Sequence, residues 1–162
     1  MLGAWVLHRR PSAARAENSL LRFEKTWAAY IRNEKDPWQE MAEWIRGNID
    51  RKAVILAPPW EDSFWLQAER AEVVNFKEQP HNAQILAWHE RLQAVNGGPF
   101  RSRGADVEQE LRQHYAGLSA EQIERIHKLY GADFYLTTRP QGELAAWLVH
   151  KNGSYYLYDL GK

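Results

Sequence analysis

The sequence predicts an α/β fold: a small three-layer sheet of about five strands, mostly parallel, with a C-terminal antiparallel hairpin and two helices before the sheet. Short apolar runs typical of strands alternate with longer amphipathic segments typical of helices, and this alternation favours parallel pairing through helical crossovers. Near the end, Asn152-Gly153 lies between two apolar runs, which is a strong hairpin signal. A chain of 162 residues has room for one such domain.

Two helices are predicted ahead of the first strand. Residues 18–33 space their apolar side chains as on one helical face. Asp36-Pro37 then supplies an N-cap residue followed by proline at the first helical position. This second helix is predicted to end near Gly47-Asn48.

The remaining elements follow in order. Strands are predicted at 53–57, 72–76 and 133–138, and the hairpin strands at 144–150 and 154–160. Helices are predicted at 61–69, 82–95, 105–116 and 119–131, separated by an exposed loop around Gly97-Gly98-Pro99. Ser119 and Gln122 fit a capping box, and Gly131 fits the end of the last helix.

Charge and composition exclude several classes of protein. Lys plus Arg and Asp plus Glu each number 21, so the zero net charge argues against a nucleic-acid partner, which requires a basic face. The chain has no cysteine, which excludes disulfides, thiolate catalysis, cysteine zinc sites and cysteine-ligated iron–sulfur clusters. The six histidines are scattered without metal-ligand spacing. We therefore expect no metal and no cofactor.

An enzyme or ligand-binding role would use the crevice beyond the carboxyl ends of the parallel strands. The side chains expected there are Glu61, Asp62, Lys77, His81 and Arg139, enough for acid–base chemistry but equally typical of solvated loops. Pro58-Pro59 removes backbone N–H donors that a phosphate would need, so a phosphate-binding loop is not indicated. There is also no Gly-x-Ser-x-Gly nucleophile turn.

Three cations around the second strand form an alternative anion-binding set. Arg70, Lys77 and Arg91 could converge on a sugar or lipid phosphate, because arginine presents a planar fork to such groups. The competing interpretation pairs these cations with Glu69, Glu72 or Glu90.

The aromatic content favours an interface. Eight Trp and seven Tyr are many for this length, and both residue types suit borders between apolar and wet surroundings. Residues 1–17 are predicted to be a docking arm ahead of a single domain at 18–162. The arm begins with an apolar run that is too short to span a bilayer and is followed by basic residues. The candidate partner-binding residues are Leu2, Trp5, Leu7, Arg9, Arg10, Trp27, Trp38, Trp60 and Trp65. Trp44, Trp88 and Trp147 are assigned to packing instead.

From Trp38 to the end, the chain resembles the soluble C-terminal α/β domain of bacterial multi-pass membrane proteins related to C-type glycosyltransferases. The resemblance rests on Ile55-Leu56-Ala57-Pro58-Pro59-Trp60, Val74-Asn75-Phe76-Lys77, Trp88-His89-Glu90-Arg91-Leu92, Tyr130-Gly131-Ala132-Asp133 and the closing hairpin. It implies an extracytoplasmic α/β domain beside a membrane. It does not imply catalysis, because the catalytic acids of such transferases lie in the transmembrane part.

These observations lead to two hypotheses. The first is a non-enzymatic, membrane-extrinsic accessory subunit that docks on a larger membrane protein complex, such as a photosynthetic or respiratory one. Its N-terminus would contact the membrane surface, with the periplasmic face favoured over the cytoplasmic one. The alternative is a sugar- or lipid-phosphate-binding module, or an enzyme, that uses the strand-end crevice.

Overall fold

The computed structural model describes residues 36–161, without the side chain of Ala146. The residues from Pro37 onward form one compact unit. The predicted helix at 18–33, the docking arm at 1–17 and the boundary between arm and domain lie outside the described residues.

Five α-helices and five strands alternate along this part of the chain. The helices are α1 (Pro37–Asn48), α2 (Phe64–Ala68), α3 (Ile85–Val95), α4 (Asp106–Tyr115) and α5 (Ala120–Tyr130). The strands are β1 (Val54–Leu56), β2 (Ala71–Glu72), β3 (Phe134–Thr137), β4 (Leu148–Lys151) and β5 (Tyr156–Asp159), and a 3-10 helix spans Gly142–Trp147. The mixed α/β class, the five-stranded sheet and the closing hairpin are confirmed.

The sheet is mixed, and the prediction of a mostly parallel sheet was wrong. Its strand order is β2-β1-β3-β5-β4. β1 runs parallel to β2 and β3, whereas β5 is antiparallel to both β3 and β4. The physical reason is that the chain leaves β3 through a 3-10 helix and returns as a tight hairpin, so no helical crossover is available to make the last strands parallel.

The helix boundaries follow their capping residues. α1 begins at Pro37 and ends at Asn48, as predicted. At the start of α5, the Ser119 hydroxyl accepts the Gln122 amide at 3.2 Å, and the Gln122 side chain accepts the Ser119 amide at 2.9 Å. Gly131 ends α5 with a φ of 67°, a conformation that glycine adopts without a side-chain clash. The capping box is confirmed.

Two predicted strands differ in extent. The strand predicted at 72–76 is limited to Ala71–Glu72, because the Phe76 amide donates to the Pro59 carbonyl and the Asn75 side chain bonds to Glu61 and Glu72. The strand predicted at 144–150 starts as the 3-10 helix and becomes extended only at Leu148.

Adjacent residues of the central strands bury their side chains in two different cores. Ile55, Leu136 and Leu157 pack with α1 and α2, including Met41 and Phe64. Their neighbours Leu56, Tyr135 and Tyr158 pack with residues of α3, α4 and α5 in the second core. Because successive strand residues point to opposite faces, helices cover both faces of the sheet.

The outer strand β4 is irregular. Its pairing with β5 shifts between Leu148 and His150, which is a bulge at Val149. The His150 ring stacks on Trp44 of α1 with ring centroids 4.0 Å apart. Burial lowers the pKa of His150, so this contact is made by the neutral imidazole near neutral pH.

Candidate functional site

The boundary between β1 and β3 is the place where an open α/β sheet usually binds its ligand. The chain passes from β1 to β2 on one side, while β3 lies on the other side of β1. The strand order therefore reverses at this boundary, and ligands of such sheets bind beyond the carboxyl ends of the strands there.

In this protein, Tyr115 fills that boundary. The side chain comes from the end of α4, and its hydroxyl lies 2.8 Å from the carbonyl oxygens of both Leu56 and Leu136. Its one proton serves two acceptors, which belong to the carboxyl ends of β1 and β3. Burial raises the pKa of Tyr115 well above its ordinary value, so the hydroxyl stays protonated as a donor.

Trp60 covers Tyr115 from the loop that follows β1. The two rings meet edge to face, with centroids 5.4 Å apart and an interplanar angle of 85°. The Arg112 guanidinium lies 4.7 Å from the centre of the Trp60 ring and is paired with Glu108 at 2.7 Å. These side chains occupy the space that a strand-end ligand would need.

The charged residues predicted for the strand-end crevice all lie in loops or turns. Lys77 pairs with Asp62, with 3.2 Å between nitrogen and oxygen, in an exposed contact. His81 and Arg139 are exposed in their loops, outside this ion pair. The backbone carbonyl of Glu61 accepts a hydrogen bond from the Asn75 side chain at 3.2 Å.

Only part of the predicted partner-binding set is available at the surface. Leu2, Trp5, Leu7, Arg9, Arg10 and Trp27 lie outside the described residues. Trp65 is exposed by 52% on α2, next to Leu66 at 64%. Trp38 and Trp60 are exposed by only 5% and 7%, so the expectation that they anchor a partner was wrong.

The burial of Trp38 and Trp60 has a clear cause in each case. Trp38 donates its indole N–H to the Ser63 hydroxyl at 3.3 Å and packs against Phe64 and Tyr155. Trp60 is held between Tyr115 and Arg112, as described above. Both aromatic rings are thus part of the two cores.

Arg70, Lys77 and Arg91 do not form an anion site together. Arg70 is buried and donates to four backbone carbonyls at the ends of α1 and α2, those of Arg46, Ile49, Ala68 and Glu69. Lys77 pairs with Asp62. Arg91 donates to the Val73 carbonyl at 3.2 Å and lies over the Tyr130 ring. The prediction was wrong for Arg70, because its guanidinium is used to cap helix ends.

A separate cleft of about 360 Å³ lies between α3 and the segment that follows β2. Its wall contains Glu72, whose pKa is raised to about 7, first by burial and then by the charge of Glu78, against the lowering effect of Asn75. Trp88 of α3 donates its indole N–H to the Asn75 carbonyl at 2.8 Å, which fixes one side of the cleft. This cleft is not among the sites predicted from the sequence, where Glu72 is a strand residue and a candidate partner of the nearby cations; a carboxylate directly before Val73-Val74 was the available signal.

A buried glutamate, Glu110, organises the loop between α3 and α4. Glu110 accepts hydrogen bonds from the backbone amides of Arg101 and Ser102 and from the Asn96 side chain. Hydrogen bonds from Ser102 and Arg101 lower the pKa of Glu110 to about 2. This carboxylate therefore stays ionised and holds the loop, which is a structural role.

Two classes of site are not found in the described part of the chain. Within residues 36–161, no group of three or more histidine, aspartate or glutamate side chains is arranged to hold a metal ion. In the same range, no helix combines the length and apolar character needed to cross a bilayer.

Comparison with known proteins gives one match. Residues 36–95, from the start of α1 to the end of α3, match a domain of unknown function, DUF6798. No curated protein and no solved structure matches the chain. The matched segment contains β1, β2, the Trp65–Leu66 surface and the cleft beside β2.

Proposed function

We propose that this chain is a non-enzymatic accessory subunit that docks, as a membrane-extrinsic domain, on a larger membrane protein complex. The observation that carries the proposal is the closure of the strand-end site by Tyr115 and Trp60. A fold whose usual ligand position is filled by its own side chains is better suited to binding through its surface than to turnover.

The docking surface in the described domain is centred on Trp65 and Leu66. Both are exposed and adjacent on the short helix α2, whose other face is held by buried Phe64 and Ala68. Tryptophan is enriched among the residues that dominate binding energy at protein interfaces.

The membrane setting of the proposal comes from the sequence. The apolar residues Leu2, Trp5 and Leu7 are followed by Arg9 and Arg10, a pattern suited to the border between lipid and water. We place the subunit at the periplasmic face, in keeping with the resemblance to extracytoplasmic domains.

Native purification followed by mass spectrometry tests the docking role. The double variant Trp65→Ser/Leu66→Ser should lose the co-purifying membrane partner while its unfolding free energy changes by less than about 0.5 kcal/mol. Leu129→Ser is the matched control, because Leu129 is an equally exposed leucine on α5. Deletion of residues 1–17 should separately release the chain from membrane fractions. Full retention of partner and membrane by all of these variants would contradict the proposal.

Two further measurements address the face of the membrane and the alternative function. Protease treatment of intact spheroplasts should digest the tagged protein if it is periplasmic and spare it if it is cytoplasmic. Calorimetry with polyprenyl phosphate should give no heat for the wild type. A binding signal that Lys77→Ala abolishes would instead support the lipid-phosphate module.

A further inference from the structure

The cleft beside β2 contains carboxylates and a guanidinium that are not paired with one another. Glu72 and Glu78 belong to the segment that begins in β2, and Arg91 comes from α3 on the opposite wall. Among residues 36–161, none of the ion pairs shorter than 4.0 Å joins Arg91 to either glutamate. One cleft of about 360 Å³ thus offers charges of both signs, and its size lies in the range of small-molecule sites.

The acidic side of the cleft has unused acceptor capacity. Glu72 accepts one hydrogen bond, from the Asn75 side chain at 3.2 Å, and its second carboxylate oxygen is buried without a partner in the described structure. Glu78 is exposed at the cleft wall. A buried acceptor that has lost water without gaining a donor is unfavourable, so a cationic donor at this position would be stabilised.

The basic side has unused donors. Arg91 makes one hydrogen bond within the described residues, from Nη1 to the Val73 carbonyl. Its guanidinium lies 5.6 Å from the centre of the Tyr130 ring, which holds its plane in position. The remaining N–H groups suit a carboxylate, which accepts parallel hydrogen bonds from an arginine fork.

Apolar side chains also line the cleft, together with the polar side chains of Asn75 and Gln84. Val74, Pro80, Ala87 and Trp88 contribute hydrocarbon or aromatic surface to the cleft. The Trp88 ring is fixed by its hydrogen bond to the Asn75 carbonyl. The apolar part of a ligand would therefore be small and would rest against these residues.

We propose that this cleft binds a small zwitterion of the α-amino-acid type. Its ammonium group is bound by Glu72 and Glu78, its carboxylate by Arg91, and its apolar side chain by Trp88 and Pro80. Contact with Glu72 requires a small outward movement of this carboxylate, because its unpaired oxygen lies below the surface. This ligand site is independent of the docking surface at Trp65 and Leu66.

The test is a ligand titration of the full-length protein. Binding is monitored through the NMR signal of the Trp88 indole N–H. The probes are L-leucine, L-leucine amide, which lacks the carboxylate, and N-acetyl-L-leucine, which lacks the ammonium group. L-leucine should shift the signal, and each analogue should bind about tenfold more weakly or worse, because each loses one charge-assisted contact.

Variants separate the two charged ends. Arg91→Gln should weaken the binding of L-leucine about tenfold and leave the affinity for L-leucine amide unchanged. Glu78→Gln should weaken the binding of both of these probes but not the binding of N-acetyl-L-leucine. Glu90→Gln, which removes the neighbouring exposed charge on α3 outside the cleft, is the matched control and should bind as the wild type. An unshifted Trp88 signal in the ligand-free variants verifies that the cleft is intact. Equal binding of all three probes, or no shift with any of them, would overturn the assignment.

Discussion

Glu110 is buried and Glu72 is half-buried, and their pKa values move in opposite directions. Glu110 accepts several N–H hydrogen bonds, which stabilise its ionised carboxylate. The Glu72 carboxylate has one hydrogen-bond donor and is partly desolvated, which disfavours its ionised form. Their difference is a property of the surroundings and not of the residue type.

Glu72 makes the stability of the fold depend on pH in an unusual sense. Its pKa rises from 4.5 in the unfolded chain to about 7 in the folded one, so the folded state binds the extra proton between these values. Stability contributed by this group is complete below pH 4.5 and is lost as the pH rises through 7. The charged or titratable groups near it are Glu78, Arg91 and Tyr115, and the tyrosine stays neutral throughout this range.

We therefore expect Glu72→Gln to flatten the pH dependence of unfolding. In the wild type, the unfolding free energy should fall by up to about 3 kcal/mol between pH 5 and pH 8 because of this group. Urea unfolding at several pH values measures both curves. Parallel curves for the variant and the wild type would mean that Glu72 titrates normally. Glu90→Gln serves as the control and should follow the wild type.

At the scale of elements, Tyr115 connects α4 to the ends of two strands. Its hydroxyl donates to the last carbonyl of β1 and to a carbonyl of β3. The Tyr135 hydroxyl in turn donates a hydrogen bond to the Tyr115 backbone carbonyl at 3.0 Å. Helix α4 thereby fixes the spacing between β1 and β3 at their carboxyl ends. The β1–β3 boundary is held by a side chain as well as by the strand ladder.

Tyr115→Phe should destabilise the domain by about 1–3 kcal/mol, because it leaves two buried carbonyls without this donor while keeping the ring. Hydrogen exchange of the β3 amides should accelerate together with the global loss. Tyr130→Phe on the partly exposed end of α5 is the matched control, with an expected change below about 0.5 kcal/mol. A wild-type unfolding midpoint for Tyr115→Phe would show that the strand ends do not depend on its hydroxyl.

Elements with strong local signals could be predicted from the sequence, and those decided by distant contacts could not. The capping box at Ser119 and the Asn152-Gly153 turn are determined within a few residues, and both are confirmed. The second strand was predicted too long, because the Phe76 amide bonds to Pro59 instead of the sheet. In the same way, the burial of Trp60 depends on Tyr115 and Arg112, which local periodicity does not reveal.

The candidate sites follow the same division. The strand-end crevice is predicted from the order of strands and helices alone, but the Tyr115 side chain that bonds to both strand ends comes from the end of α4. In the sequence, Arg70 is one of three cations near the second strand. In the structure, its guanidinium donates hydrogen bonds to backbone carbonyls at a helix end. The cleft beside β2 requires α3 to pack against the segment after β2, which no spacing of residues within either segment specifies.

At the scale of the whole molecule, one sheet separates two cores. Ile55 and Leu56 are adjacent in β1 and fully buried, and they face opposite cores. Since both cores share β1, we expect the domain to unfold as one cooperative unit.

Ile55→Ala and Leu56→Ala test this coupling. Each should cost about 2–5 kcal/mol and shift the same single transition, measured by tryptophan fluorescence and by circular dichroism. The exposed Leu129→Ala is the control, with little expected change. Two separate transitions, with one variant affecting only one of them, would mean that the cores are independent.

The bulge at Val149 gives the outermost strand a further property. A regular outer strand is a template onto which another chain can add, and fibrils grow by repeating that addition. Here the shifted register between Leu148 and His150, together with Lys151, interrupts the repeat that an incoming strand must match. We accordingly expect the molecule to have little tendency to polymerise through this edge, even at high protein concentration.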